Sequence, residues 1–156
     1  MVILSFILAM CLSVDTCPSI EHYVDLSIQF DKDTICMGDT LTLSIEFRNK
    51  TTEDIEFYPE CYQILTQPFV AFGADKTLVL NEVSNYFNLI RLPPDGTYSQ
   101  KVEIKTDNTF LYQGLNNIYM YYRCPELKGK SNEMYNKLCG VLKSNVVNLY
   151  VSNVSN

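Results

Sequence analysis

Asp39-Thr40-Leu41-Thr42-Leu43-Ser44-Ile45-Glu46-Phe47-Arg48-Asn49 decides the fold class of this chain. Leu41, Leu43, Ile45 and Phe47 alternate with Thr42, Ser44, Glu46 and Arg48. A period of two puts the two sets on opposite faces of a β-strand. Gly38-Asp39 punctuates its start and Asn49-Lys50-Thr51-Thr52 its end. Upstream, Val24, Leu26, Ile28 and Phe30 alternate with polar residues in the same way, so His22 to Phe30 is predicted to be a strand. Asp31-Lys32-Asp33-Thr34 reads as a turn, and Ile35-Cys36-Met37 as a short apolar return.

Downstream the signals are shorter. Ile55-Glu56-Phe57-Tyr58 begins a third strand, which Pro59 moves to an edge and Cys61-Tyr62-Gln63-Ile64-Leu65 continues past a bulge. Phe69-Val70-Ala71-Phe72 and Leu78-Val79-Leu80 flank Gly73-Ala74-Asp75-Lys76 in the pattern of a hairpin. Pro93-Pro94-Asp95-Gly96 is a turn, with Pro presetting the backbone angle and Gly accepting positive φ. Residues 97–105 and 117–123 alternate again. Ser131 to Leu138 is predicted to be a short helix, with Ser131 as N-cap and Gly140 beyond its end. Residues 145–151 form the closing strand. About seven or eight short strands at regular turn spacing predict an all-β, antiparallel β-sandwich.

The 156-residue chain is 47% hydrophobic and 19% charged, a globular balance that sets disorder aside. Its net charge of -6 lacks the cationic surface that phosphate binding requires, so a nucleic-acid partner is not expected. Residues 2–12 are apolar except for Ser5, too short a run for a spanning helix and fit for the core of a signal peptide. Leu8-Ala9-Met10-Cys11 resembles a lipoprotein signal, which makes Cys11 a candidate lipid anchor and membrane tether. The division expected is a signal or lipoprotein segment over 1–16 and one domain over 17–156. The localisation expected is export: periplasmic, outer-membrane-anchored or extracellular.

Three stretches resemble bacterial immunoglobulin-like domains. They are Gly38 to Ile45 leading to Asn49, Leu92-Pro93-Pro94-Asp95-Gly96-Thr97, and Gly114 leading into Ile118-Tyr119-Met120-Tyr121-Tyr122. They look like strand B, the turn before strand E, and strand F, and the layout is also similar to that of the BsuPI proteinase-inhibitor domain. Unlike antibody-type domains, the chain has no Trp and no Cys in its 39–49 strand. In an Ig-like layout Cys124 and Cys139 flank one loop between strands F and G, and the predicted helix lies in that loop. Cys36 and Cys61 fall at the opposite end. The disulfides this resemblance implies are Cys124–Cys139 and Cys36–Cys61, leaving Cys17 odd. Reduced, buried thiols are the alternative.

No catalytic signature is evident. The single histidine, His22, reads as a surface residue rather than the base of a dyad with Cys17. There is no Cys-x-x-Cys, Gly-x-Ser-x-Gly, zinc-protease helix motif or phosphate-cradling glycine loop. Asp31 with Asp33, and Glu53 with Asp54, read as solvated turns rather than calcium ligands. Asn49-Lys50-Thr51 and Asn153-Val154-Ser155 are glycosylation sequons. Tyr119, Tyr121 and Arg123 share a strand face, and exposed they would form a contact patch, since Tyr and Arg are enriched at binding hot spots. The alternative is a second sheet face covered by the hairpin. The long loop from Cys124 to Gly140 adds Glu126, Lys128, Met134 and Tyr135 as candidate contacts. The chain is therefore expected to be a non-catalytic exported binding or accessory module of the cell envelope with a protein or glycan partner. No cofactor or metal is expected. A proteinase inhibitor presenting a rigid loop is the alternative.

Overall fold

A computed structural model describes residues 19–57, 59, 62–68, 76–79, 89–107, 109–123 and 140–152. A 3-10 turn, Ile20–His22, precedes eleven strands among these residues: β1 Val24–Phe30, β2 Thr34–Cys36, β3 Thr40–Asn49, β4 Ile55–Phe57, β5 Tyr62–Pro68, β6 Lys76–Val79, β7 Ile90–Leu92, β8 Thr97–Lys105, β9 Gly114–Arg123, β10 Val141–Lys143 and β11 Val147–Ser152. They form a three-stranded sheet, β1-β3-β8, and a six-stranded sheet, β2-β11-β9-β5-β6 with β10 also on β9. β4 and β7 make a separate ribbon. All pairings are antiparallel except β2 with β11.

The chain is all-β, as its alternation requires. β3 buries Leu41, Leu43, Ile45 and Phe47 and turns Glu46 and Arg48 to solvent. Its neighbours keep the same register, with Ile28 opposite Ile45 on β1 and Ile104 opposite Leu41 on β8. From the other sheet Ile118, Met120 and Tyr122 of β9, with Leu142, Leu149 and Val151, face the same core. With no Trp to fill it, the centre is an aromatic trio. Phe47 lies 5.1 Å from Phe57 and 5.3 Å from Tyr122 between ring centroids, and Tyr122 meets both edge-on.

Four details differ from the sequence reading. Strands are more numerous than seven or eight because several are short or broken. The segments starting at Ile55 and Tyr62 take different partners, β7 and β9, and so are two strands. The hairpin lies earlier than predicted, since β5 runs through Pro68 and pairs Thr66 with Lys76. In the Pro93–Gly96 turn the positive φ belongs to Asp95, at 56°. Glycine is needed at 96 for room, because a Cβ there would stand 2.7 Å from the Pro93 ring and 2.8 Å from its carbonyl oxygen. The predicted helix at 131–138, and the stretch from Phe69 to Phe72, lie outside the described residues.

Two buried asparagines hold loops to the sheets. Asn49, at the end of β3, is 0% exposed. Its Nδ2 donates to the carbonyl oxygens of Glu53 at 2.7 Å, Pro93 at 2.9 Å and Leu92 at 3.1 Å, while its Oδ1 accepts from the Thr51 backbone and hydroxyl. A side chain so enclosed is no glycan acceptor, and the sequon at Asn49 is a structural motif. Asn116 does the same on β9, exchanging hydrogen bonds with the Tyr112 backbone and donating to Gly114.

Candidate binding face

The period of two that buries Ile118, Met120 and Tyr122 sends Tyr119, Tyr121 and Arg123 to the outer face of the six-stranded sheet. Directly opposite residues of an antiparallel pair share a face. β10 therefore adds Lys143 beside Tyr121 and Val141 beside Arg123. The rings of Tyr119 and Tyr121 meet edge to face at 5.4 Å. The Lys143 ammonium sits 4.3 Å from the Tyr119 ring centre and 5.8 Å from that of Tyr121. Tyr119 is only 6% exposed, so it forms the floor beneath Lys143, while Tyr121 is half-buried and Arg123 exposed.

A β-bulge extends this face along the strand. Lys143 pairs with Tyr121 but Val147 pairs with Ile118, so four steps on one strand oppose three on the other. The bulged segment is secured twice. Ser144 exchanges two hydrogen bonds with the Met120 backbone, each 2.9 Å. The Asn145 side chain accepts from the Ile28 amide at 2.8 Å and donates to its carbonyl at 3.0 Å, and so occupies the free edge of β1 as a neighbouring strand would. Beyond the bulge, β11 buries Leu149 and Val151 and turns Tyr150 outward beside Leu115. Val141 is 47% exposed and Tyr150 48%.

Charge distinguishes the two sheets. β2, β5, β6, β9, β10 and β11 contain no Asp or Glu, although the chain has 18 of them against 12 Lys and Arg. The three-stranded sheet mixes both signs: Asp25, Glu46 and Glu103 with Arg48, Lys101 and Lys105. Its outward residues are Ser, Thr, Gln and these charges, with no aromatic ring among them.

Other sequence candidates have structural duties. The Asp31 carboxylate accepts from the Thr42 amide at 2.9 Å, the Asp33 carbonyl accepts from the Tyr150 amide at 2.8 Å, and Asp54 pairs with Arg91. Exposed His22 lies 4.0 Å from Glu21. The Cys36 Sγ is 3.1 Å from the Ser152 hydroxyl. Cys11, Cys17, Cys61, Cys124 and Cys139 lie outside the described residues, so both proposed disulfides do as well. The same holds for the loop contacts Glu126, Lys128, Met134 and Tyr135 and for the loop of the inhibitor reading. At the turn before β9, hydrogen bonds from the Thr109 side chain first, then from the Thr109 and Phe110 amides, hold the Asp107 carboxyl below its usual range, with help from the Lys76 charge. Sequence reasoning missed Val141, Lys143 and Tyr150 as members of the face. The run without a carboxylate was visible, but only strand order gathers it into one sheet.

No family model matches the chain, and no curated protein matches it at a significant level. Solved structures do resemble its backbone. An alkylpurine DNA glycosylase of Pseudomonas fluorescens, bound to DNA containing an abasic site analog, is 11% identical with a TM-score of 0.49; the match covers 83% of this chain and 30% of that one. The sporulation control protein of Bacillus subtilis is 7% identical, with 85% and 50% covered and a TM-score of 0.47. A β-glucosidase from Listeria innocua, in complex with isofagomine, is 10% identical, with 83% and 16% covered and a TM-score of 0.44. The chain thus spans half or less of each protein. These matches correct the expectation that the chain is not an enzyme. A glycosylase and a glucosidase stand among the proteins matched. At such identities neither enzyme's chemistry passes to this chain.

Proposed function

We propose that the chain is an exported, immunoglobulin-like β-sandwich that binds a macromolecular partner through the outer face of its six-stranded sheet. The observation that carries this reading is the contrast between the two outer faces. One is polar and mixed in charge. The other combines Tyr121, Tyr150, Val141, Arg123 and Lys143 with no carboxylate in any of its strands. Tyr and Arg supply large contact area with a polar tip and are enriched at the centres of interfaces. The Ig-like part of the reading is supported by strand order. β1-β3-β8 follows an A-B-E sheet, and β11-β9-β5-β6 follows G-F-C with one added strand. Export is supported by the apolar run over residues 2–12.

The test is a photo-crosslinking amino acid placed singly at 121 and 150, with controls at 29 and 101 on the other sheet, in the full chain expressed in its own cells. Discrete adducts from 121 and 150 alone are expected. Equal adducts from all four positions, or none from 121 and 150, would refute the reading. Intact mass of the recovered chain tests export in the same preparation. A start between residues 12 and 17, or an acylated Cys11, is expected; a full-length chain would count against it.

A further inference from the structure

We infer that the partner taken by this face is a protein presenting an acidic segment, whose carboxylates meet Lys143 and Arg123. The inference rests on the binding-face reading and adds the partner's chemistry. A chain of net charge -6 repels acidic partners over most of its surface. The outer face of the six-stranded sheet is the exception, since it carries Arg123 and Lys143 and its strands contain no acid. Elsewhere Arg48 pairs with Asp95, Lys50 with Asp25 and Arg91 with Asp54. Lys101 and Lys105 share a strand face with Glu103. Lys143 and Arg123 make no ion pair among the described residues, and no carboxylate lies in the strands around them.

Lys143 is also held in place. Its ammonium rests on the Tyr119 and Tyr121 rings, which fixes the side chain against an apolar floor. A cation on an aromatic face keeps hydrogen-bond donors on its outward side, and a carboxylate can accept them without displacing the ring contact. A fixed cation loses less rotamer freedom on pairing than a free one. Val141, two residues from Lys143 on β10, and Tyr150, farther along the same face, provide apolar contact area, which favours an extended polypeptide over a polyanionic glycan. A glycan polyanion is bound chiefly through dense arrays of Lys and Arg, and here the described outer face offers two.

The probe is a random Glu–Tyr copolymer, titrated into the isotope-labelled full chain and followed by amide chemical shifts. Heparin and a Lys–Tyr copolymer are the comparison ligands. Shifts at Tyr121, Lys143 and Tyr150 with the Glu–Tyr copolymer are expected, weakening as salt rises. Lys143→Glu is expected to weaken binding about tenfold or more, and Lys143→Met less; Lys101→Glu on the other sheet should leave it unchanged. Melting temperature checks that each variant folds. Shifts with heparin but not the copolymer would replace the inference with a glycan partner. Preference for the Lys–Tyr copolymer would overturn the acidic chemistry and leave the binding face standing. No response to any probe, with crosslinks from 121 and 150 intact, defeats this inference alone; loss of the crosslinks as well defeats both.

Discussion

Replacing Asn49 by aspartate keeps the shape of the side chain and reverses half of its chemistry. Oδ1 still accepts from Thr51, but the Nδ2 donor becomes a second oxygen facing the carbonyls of Glu53, Leu92 and Pro93. Asn49→Ala removes both halves. Leaving a buried polar group unsatisfied costs about 1–3 kcal/mol, and the Leu92 contact is the fully buried one, so Asn49→Ala is expected to cost about 2–4 kcal/mol. That corresponds to a fall in Tm of about 10 °C at this size. At pH 7 Asn49→Asp should cost about as much or more, because a buried, unpaired carboxylate adds about 3–5 kcal/mol. Three carbonyl oxygens favour a protonated carboxyl, so the introduced group has a folded-state pKa above its unfolded value of about 3.9. The folded state then binds the proton more tightly, and the penalty shrinks as pH falls through the raised folded pKa. Urea unfolding of the three proteins at pH 7 and near pH 4 is the assay. The expected order is Asp no better than Ala at pH 7 and better than Ala near pH 4. An Asp variant as stable as the parent at pH 7, a pH-independent gap, or a glycan found on Asn49 of the folded chain would refute the argument.

Gly96→Ala should destabilise by about 1–3 kcal/mol through overlap with Pro93, whereas Asp95→Gly should relieve a positive φ at the loss of the exposed Arg48 pair, with a net change within about 1 kcal/mol; thermal melts read both. Asn145→Ala should cost about 1–3 kcal/mol and raise hydrogen exchange at the Ile28 amide, and unchanged protection there would show that the side chain does not close the β1 edge. Asp107 stabilises the fold above its unfolded pKa and loses that contribution as pH falls through its lower folded value; Thr109→Val should move its NMR titration upward toward the ordinary range, and an unmoved titration would contradict the assigned cause.

The sequence by itself determined the class of fold and the facing of its strands. Alternation is local: Leu41, Leu43, Ile45 and Phe47 face one way whatever lies above them, and Ile118, Met120 and Tyr122 are divided from Tyr119, Tyr121 and Arg123 by the same geometry. Tertiary structure decided what depends on partners distant in the chain. Val141 and Lys143 join Tyr121 and Arg123 only through the β9–β10 register, and a one-residue bulge then sets which residues of β11 follow them outward. Asn49 reads as a sequon in sequence, yet three backbone carbonyls, two of them more than forty positions away, make it a buried staple. Tyr119 reads like Tyr121, and packing alone makes one a floor and the other a surface. Periodicity fixes direction within a strand, because Cβ placement follows from the backbone. Which strands meet, and therefore which charges and rings share a face, follows from burial of the whole core.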